Sequence, residues 1–307
     1  MTTALFTHPD AERPITPPGH AEQVARYAAV LDALADLPVD RCEAPRAEES
    51  EILRCHPLSY LERIRDTIPE EGWQMLDADT HLSPGSLDAA LRGAGGAVAA
   101  VDAVLAGEVA NAFVAMRPPG HHAERETPMG FCIFGNAAIG AMRALDHHGL
   151  DRVAVLDFDV HHGNGTQDLL WNERRVFFAS SHQVPLYPGT GAASEQGAHG
   201  QVMNVPLRPG SDGAAGQAAW QDILARCRDF APQLVIVSAG FDAHAADPLA
   251  QLNWGDGDFA AITRMICDMA ADLSAPVVSC LEGGYDLAAL GRSVRAHVEV
   301  LLEAGHD

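Results

Sequence analysis

The stretch Val153-Ala-Val-Leu-Asp-Phe-Asp-Val-His-His-Gly-Asn-Gly165 joins a predicted strand to the first candidate site, and the rest of the chain can be interpreted around it. Its first four residues are apolar and β-rich, which predicts a buried strand. Side chains two positions apart in an extended chain point the same way, so Asp157, Asp159 and His161 share one side of the strand end. Two carboxylates and an imidazole are costly to bury unless a cation pairs with them. Aspartate and histidine suit a zinc site that keeps one position open for water.

The composition limits the class of protein. The chain has 307 residues, 47% hydrophobic content and a formal charge of -22, which fits one large α/β domain over residues 1–307. The negative charge argues against nucleic-acid binding and favours cationic partners. The alternative is that the charge only keeps the protein soluble. The six cysteines form no CxxC pair, so we expect free thiols. Without a signal peptide or a run of about 18 apolar residues, the chain is expected to be cytoplasmic and to have no membrane contact.

Strands and helices are predicted to alternate along most of the chain. Apolar runs predict strands at residues 4–7, 112–116, 153–156, 175–180, 234–237 and 276–280. Helical spacing predicts helices at residues 21–37, 56–65, 86–105, 136–148, 166–171, 214–230, 258–273 and 287–302. This alternation indicates an α/β fold with a parallel sheet covered on both faces. Residues 69–86 form a predicted loop that is too long for a simple connector, and a second long loop runs to about residue 203.

Four of the predicted strands end in polar motifs. Ligands bind beyond the carboxyl ends of the strands in such a sheet, so the motifs are expected to meet at one edge. Each motif alone is compatible with ordinary core or surface packing, but their joint occurrence at strand ends favours a functional site. The motifs are the opening stretch, Arg117-Pro-Pro-Gly-His-His122, Ser238-Ala-Gly-Phe-Asp-Ala-His244 and Glu282-Gly-Gly-Tyr285.

The residue types in these motifs suit metal-assisted amide hydrolysis. Zinc held by Asp159, His161 and Asp242 would keep a position for water and substrate. Such an ion lowers the pKa of a bound water from about 16 to about 7 and polarises a carbonyl group. Iron(II) or cobalt(II) fits the same ligands.

The remaining polar residues are candidates for proton transfer and transition-state stabilisation. Either His121 or His122 would act as general base and acid, because imidazole titrates near neutrality. Asp157 and Asn164 are expected to bond the outer ring nitrogens of this pair and to set its tautomer. Tyr285, which follows two glycines, would direct its hydroxyl at the developing oxyanion.

These motifs resemble those of the histone deacetylase superfamily, which includes bacterial histone-deacetylase-like amidohydrolases and acetylpolyamine amidohydrolases. The likeness covers nearly the whole chain and extends to Gly130-Phe-Cys and to the N-terminal Pro18-Gly-His-Ala-Glu22. It implies the arginase–deacetylase fold, a single domain with a central parallel eight-stranded sheet flanked by helices. The asparagine at position 164 is similar to the class II branch of the superfamily, which has asparagine there, whereas class I enzymes have aspartate.

The resemblance also implies roles for individual residues. The zinc ligands fall on Asp159, His161 and Asp242, the tandem histidines on His121 and His122, with the second as general base and acid, and the transition-state tyrosine on Tyr285. The walls of the substrate channel fall on Gly130, Phe131 and Tyr187, with Leu249 where a polyamine-selective branch has glutamate. An inner potassium or sodium site would use Asp157, Asp159, His161 and Ser180, together with backbone carbonyls that include that of Ser181.

The predicted function is therefore zinc-dependent deacetylation of acetyl-lysine-type substrates, which yields acetate and a free amine. An acetylpolyamine amidohydrolase with the same mechanism is the main alternative. An arginase-like binuclear manganese hydrolase would need a carboxylate where the chain has His244. A non-catalytic acyl-lysine binding protein is a further alternative, although such a protein would have no need of His122 or Tyr285. A homo-oligomer is left open.

Overall fold

A computed structural model describes residues 2–306, apart from the side chain of His306. Eight strands form one sheet in which each neighbouring pair is parallel. The strands are β1 (Thr3–Thr7), β2 (Asp40–Glu43), β5 (Asn111–Val114), β6 (Val153–Asp157), β7 (Val176–Gln183), β8 (Val202–Leu207), β9 (Leu234–Ala239) and β10 (Val277–Leu281), and their order is β2-β1-β5-β10-β9-β6-β7-β8. The parallel eight-stranded sheet is confirmed. The predicted domain of residues 1–307 also includes Met1 and Asp307, which lie outside the described residues.

Helices cover both faces of this sheet. Along β6, Val153 and Val155 belong to one apolar cluster, and Ala154 and Leu156 to a second. This strand is therefore buried on both faces, as its continuous apolar run predicts. The helices are α1 (Ala25–Ala33), α2 (Glu49–Ile52), α3 (Leu58–Thr67), α4 (Ser86–Leu105), α5 (Asn136–Asp146), α6 (Asn164–Leu170), α7 (Gly213–Phe230), α8 (Asp256–Asp272) and α9 (Leu287–His306). None of the helices within residues 2–306 is both long and apolar enough to cross a bilayer.

The predictions from periodicity miss several short elements. The edge strand β2 is largely exposed, and the other edge strand, β8, contains Pro206, so neither has the apolar run of a central strand. The predicted loop at residues 69–86 contains a short antiparallel pair, β3 (Gln74–Met75) and β4 (His81–Leu82). The helix predicted at residues 21–37 is shorter and begins only at Ala25.

The central strands place the four polar motifs side by side. Strands β5, β10, β9 and β6 are consecutive neighbours in the sheet, and each motif follows one of them along the chain. The carboxyl ends of parallel strands lie at the same edge. The first and last motifs are far apart in the sequence, and Gly120 and Glu282 are separated by 162 residues. The sheet order nevertheless brings them together.

Candidate active site

Asp159, His161 and Asp242 form a compact group of potential metal ligands. One ligand atom from each side chain lies within 4.8 Å of the others, and all three side chains are buried. Nδ1 of His161 is 3.1 Å from Oδ1 of Asp159 and 3.0 Å from Oδ2 of Asp242. Asp159 and His161 follow β6, and Asp242 follows the adjacent strand β9. The sheet therefore supplies the group from two neighbouring strand ends.

Backbone groups orient the two carboxylates. The Gly283 N–H donates to Oδ2 of Asp159 at 2.9 Å, and the Val160 N–H donates to Oδ1 of Asp242 at 2.9 Å. A Cβ atom at Gly283 would lie 2.2 Å from Oδ2 of Asp242, so this close approach requires glycine. Burial and the Asp159 carboxylate raise the pKa of Asp242. Two buried carboxylates that face one imidazole fit the donor set of a zinc ion.

His121 and His122 each bond a different residue through Nδ1. The Nδ1 atom of His121 is 3.0 Å from Oδ2 of Asp157, and that of His122 is 2.7 Å from Oδ1 of Asn164. The amide nitrogen of Asn164 donates to Glu124 at 2.8 Å, so its oxygen faces His122 and accepts the Nδ1–H. The other ring nitrogen of His122, Nε2, is consequently free to accept a proton.

The surroundings shift the pKa values of the two histidines in opposite directions. Burial lowers the pKa of His122, and the neighbouring imidazoles of His121 and His161 lower it further. Burial also acts to lower the pKa of His121, but the carboxylates of Asp159 and Asp157 outweigh it and raise that pKa. The surroundings therefore favour the neutral imidazole at His122 and the protonated one at His121.

Two buried glutamates fix the loop that carries both histidines. Oε2 of Glu282 accepts the N–H of Gly120 at 2.6 Å and that of His121 at 3.1 Å. Glu22 and Arg117 form a bidentate pair with N···O distances of 2.7 and 2.6 Å. Bidentate pairs of this kind restrict both distance and orientation. The histidines are therefore held at the sheet edge by residues from distant parts of the chain.

A narrow cavity of about 220 Å³ leads to the metal-ligand group. Tyr187 is 38% exposed, whereas His161 is 7% exposed, so the cavity runs from the surface to a buried end. Gly130 has a φ of 54°, and a Cβ atom there would lie 2.3 Å from the His122 ring. All four channel residues inferred from the resemblance border the cavity, which is lined by Asp79, His122, Gly130, Phe131, His161, Leu186, Tyr187, Leu249 and Tyr285.

Tyr285 lies in the cavity wall and is held by several contacts. Cζ of Arg26 is 5.0 Å from the centre of the Tyr285 ring, and the Phe131 ring packs edge-on at 5.7 Å. The guanidinium of Arg26 also donates to the backbone oxygens of Gly284 and Glu282. Burial and the Asp242 carboxylate raise the pKa of Tyr285. Its hydroxyl is therefore protonated at neutral pH and able to donate a hydrogen bond.

The residues of the inferred potassium or sodium site lie on β6, on β7 and in the segment that directly follows β6. Ser180 pairs in register with Asp157 across these strands, and Oδ1 of Asp157 accepts the Asp159 N–H at 3.0 Å. The Ser180 hydroxyl lies 3.0 Å from Nδ1 of His182, and the Ser181 hydroxyl accepts a hydrogen bond from Trp220 at 3.1 Å. Both serines are fully buried.

The sequence patterns do not indicate Asp79 and Arg26 as site residues. Oδ1 of Asp79 accepts the Gly130 N–H at 3.1 Å, and the next residue, Thr80, accepts the Phe131 N–H at 3.0 Å. The unusual length of the segment at residues 69–86 is the one sequence signal for Asp79. For Arg26 the signal is its spacing of four residues from Glu22, with which it forms an ion pair at 3.1 Å.

Comparison with known proteins places the chain in a family. The sequence profile of the histone deacetylase domain matches residues 20–301. The chain belongs to the histone deacetylase family. The histone deacetylase-like amidohydrolase of Pseudomonas aeruginosa is 44% identical over 248 residues, which are 79% of this chain and 65% of that protein. A probable deacetylase of Archaeoglobus fulgidus is 35% identical over 298 residues, or 94% of this chain and 82% of the relative.

A solved structure agrees with this family membership. The crystal structure of the HDA15 HD domain matches with a TM-score of 0.93 at 31% sequence identity, over 99% of this chain and 89% of that one. The resemblance inferred from the motifs and the arginase–deacetylase fold are both confirmed. Relatives of this chain within the family are named deacetylase and amidohydrolase. These names indicate the general reaction class, hydrolysis of an amide.

Proposed function

We propose that this histone deacetylase family member is a zinc-dependent deacetylase that hydrolyses the acetyl amide of acetyl-lysine-type side chains. One observation carries the proposal: His161, which belongs to the metal-ligand group, lines the same narrow cavity as His122 and Tyr285. A cavity that is open at Tyr187 and buried at His161 suits a linear, acylated side chain. The names of the relatives support the reaction class.

Asp159, His161 and Asp242 would hold the zinc ion, which would lower the pKa of a water ligand and polarise the acetyl carbonyl. His122 accepts a proton from the attacking water at Nε2, because its Nδ1–H is donated to Asn164. The same nitrogen then delivers the proton to the leaving amine. Tyr285 donates its hydroxyl hydrogen to the oxygen on which negative charge develops.

The proposal includes a second, monovalent cation, potassium or sodium, near Asp157 and Ser180. The side chain of Asp157 is fully buried, and burial raises its pKa to about 6. A cation bound beside Asp157 and Asp159 would offset the repulsion between these two carboxylates. We also propose a cytoplasmic location, which the six free thiols support.

An acetylpolyamine amidohydrolase is the second candidate, and two observations favour it. The carboxylate of Asp79 lines the cavity, and the chain has a formal charge of -22, so cationic substrates are attracted. The apolar Leu249 in the cavity wall favours the acetyl-lysine substrate instead. An arginase-like site has less support, because His244 pairs with Asp256 at 3.2 Å and lies outside the metal-ligand group.

The test compares kcat/KM for an acetyl-lysine peptide with that for N-acetylputrescine. Product amine is measured directly, since the chain contains 20 arginines and no lysine, so no lysine amine adds background. A preference for the peptide supports the proposal, and a preference for the polyamine supports the second candidate. Binding of an acetyl-lysine peptide without turnover of either substrate by the zinc-loaded protein would contradict both and favour a binding protein.

A further inference from the structure

Asp247 is a buried carboxylate that the mechanism above does not use. It lies in the segment after β9, five residues beyond the metal ligand Asp242, and is 8% exposed. Burial and the nearby Asp242 carboxylate raise its pKa to about 7, and the backbone N–H groups of Leu249, Tyr285 and Asp286 oppose this effect. A carboxylate at such a position needs hydrogen-bond donors to offset its desolvation. The N–H groups that donate hydrogen bonds to Asp247 therefore show which parts of the chain it holds in place.

The two oxygens of Asp247 bind two different parts of the cavity wall. Oδ2 accepts the backbone N–H of Tyr285 at 2.7 Å, and Oδ1 accepts that of Leu249 at 3.0 Å. Tyr285 follows β10, whereas Leu249 belongs to the segment after β9. One side chain therefore joins these two loops, which are also linked nearer the strands by the hydrogen bond that the Phe241 N–H donates to the Gly283 carbonyl oxygen at 3.0 Å.

Tyr285 and Leu249 also separate two cavities. Both line the narrow channel of about 220 Å³, and both line a neighbouring cavity of about 580 Å³ on the side of residues 15–25. If the two loops moved apart, the two cavities would join, and the Tyr285 hydroxyl would lose its orientation toward the substrate. The connection through Asp247 is placed where it prevents this movement.

We propose that Asp247 is a positioning residue that fixes Tyr285 and Leu249 relative to each other, so that the tyrosine hydroxyl reaches the reacting carbonyl and the channel stays narrow. The proposal rests on the deacetylase function proposed above. It makes Asp247 important for the transition state although its side chain is absent from the channel lining. A displacement of about 1 Å in such a group can cost about 100-fold in rate.

A double-mutant cycle distinguishes positioning from a general structural role. Asp247→Ala is expected to lower kcat about 10- to 100-fold in the wild-type background. In the Tyr285→Phe background the same change is expected to lower kcat less than about threefold, because the hydroxyl that Asp247 positions is already gone. An equal loss of kcat in both backgrounds would overturn the proposal.

Two further variants test whether misfolding explains the loss of kcat in Asp247→Ala. Asp247→Asn keeps one acceptor oxygen and is expected to recover part of the kcat lost in Asp247→Ala. Asp258→Ala is the matched control, since Asp258 also accepts a backbone N–H, that of Gly255 at the start of α8, and it is expected to keep kcat within about twofold of wild type. An Asn variant as inactive as the Ala variant would count against the proposal.

Hydrogen exchange supplies a readout that does not require activity. In Asp247→Ala, the amides of Tyr285 and Leu249 are expected to exchange at least about tenfold faster, while the amides of β10 keep wild-type rates. Unchanged exchange at both positions would overturn the positioning role. If wild type turned over no acetyl substrate but exchange rose as expected, the proposed function would fail and the positioning contact would stand.

Discussion

Tyr285 receives contacts from a cation, an aromatic ring and a carboxylate. Arg26 lies over its ring at 5.0 Å, Phe131 packs edge-on at 5.7 Å, and Asp247 accepts its backbone N–H at 2.7 Å. Each contact comes from a different segment of the chain. A hydroxyl held in this way needs little reorganisation when charge develops on the substrate, which is the condition for effective electrostatic catalysis.

Replacing Tyr285 by phenylalanine is expected to lower kcat roughly 100- to 1,000-fold, because one oxyanion donor is lost. KM should change much less, since the ring and its packing are retained. Steady-state kinetics with an acetyl-lysine peptide measures both constants. Tyr27→Phe is the control, because Tyr27 is a buried core residue outside the channel. A Tyr285→Phe enzyme within about threefold of wild type would contradict the oxyanion role.

The strand-end motifs could be predicted from sequence, but the tertiary hydrogen bonds that hold them in place could not. The alternation of polar residues in residues 153–165 follows from local geometry alone. The contacts of Glu282 with Gly120 and His121 join residues 162 and 161 positions apart, and no local pattern indicates them. Sequence alone likewise offers no signal that the Asp247 carboxylate binds the backbone of Tyr285. Tertiary contacts of this kind depend on the sheet order, which periodicity does not provide.

At the scale of elements, a buried histidine connects α8, α9 and β10. The ring of His297, on α9, lies 2.7 Å from the Thr263 hydroxyl on α8 and 2.9 Å from the Ser279 hydroxyl on β10. Aromatic rings that include Phe113 surround it. Burial lowers the pKa of His297 to about 3. The folded protein therefore keeps this histidine neutral where the unfolded chain would protonate it.

Acidification is expected to destabilise wild type relative to a His297→Gln variant. The unfolded histidine takes up a proton below about pH 6.5, and the folded one does so only near pH 3. Stability contributed by the neutral form is therefore complete above about pH 6.5 and is lost as the pH falls toward 3. Between pH 7.5 and pH 5 the difference in unfolding free energy between the two proteins should shift by about 2 kcal/mol. Denaturant titrations at both pH values measure it, and an unchanged difference would contradict the neutral assignment.

The elements that periodicity predicted well are the ones with a buried face. The limits of α4 (Ser86–Leu105) agree with the predicted helix, because its small apolar residues pack against the sheet. The edge strands β2 and β8 were missed because an exposed edge does not require an apolar run. The number of strands came from the family resemblance, since the apolar runs alone indicate only the central part of the sheet and β1.

At the scale of the whole molecule, the charge of -22 should influence substrate encounter. Long-range attraction raises the association rate of oppositely charged ligands, and salt screens it over about 10 Å at 0.1 M. The permanent positive charge that partly offsets the 42 acidic residues comes from 20 arginines, since the chain has no lysine. The effect is independent of the chemistry in the channel and should appear in kcat/KM rather than in kcat.

Added salt is therefore expected to lower kcat/KM for an acetyl-lysine peptide flanked by arginines by about threefold or more between 0.02 and 0.5 M, because screening removes the attraction. A matched peptide flanked by neutral residues should vary by less than about twofold. Steady-state kinetics at several salt concentrations provides the comparison. Equal salt dependence for the two peptides would mean that the negative charge serves solubility rather than substrate attraction.

In the proposed deacetylase, Asp159, His161 and Asp242 hold a metal ion that the reaction requires. The most direct measurement is the transition-metal content of the purified protein, determined together with turnover of an acetyl-lysine peptide before and after chelation. We predict about one ion per chain, loss of turnover on chelation and recovery with zinc, and loss of both the ion and turnover in Asp242→Ala. Full turnover by metal-free protein would contradict the claim, and about two ions per chain would favour an arginase-like site instead.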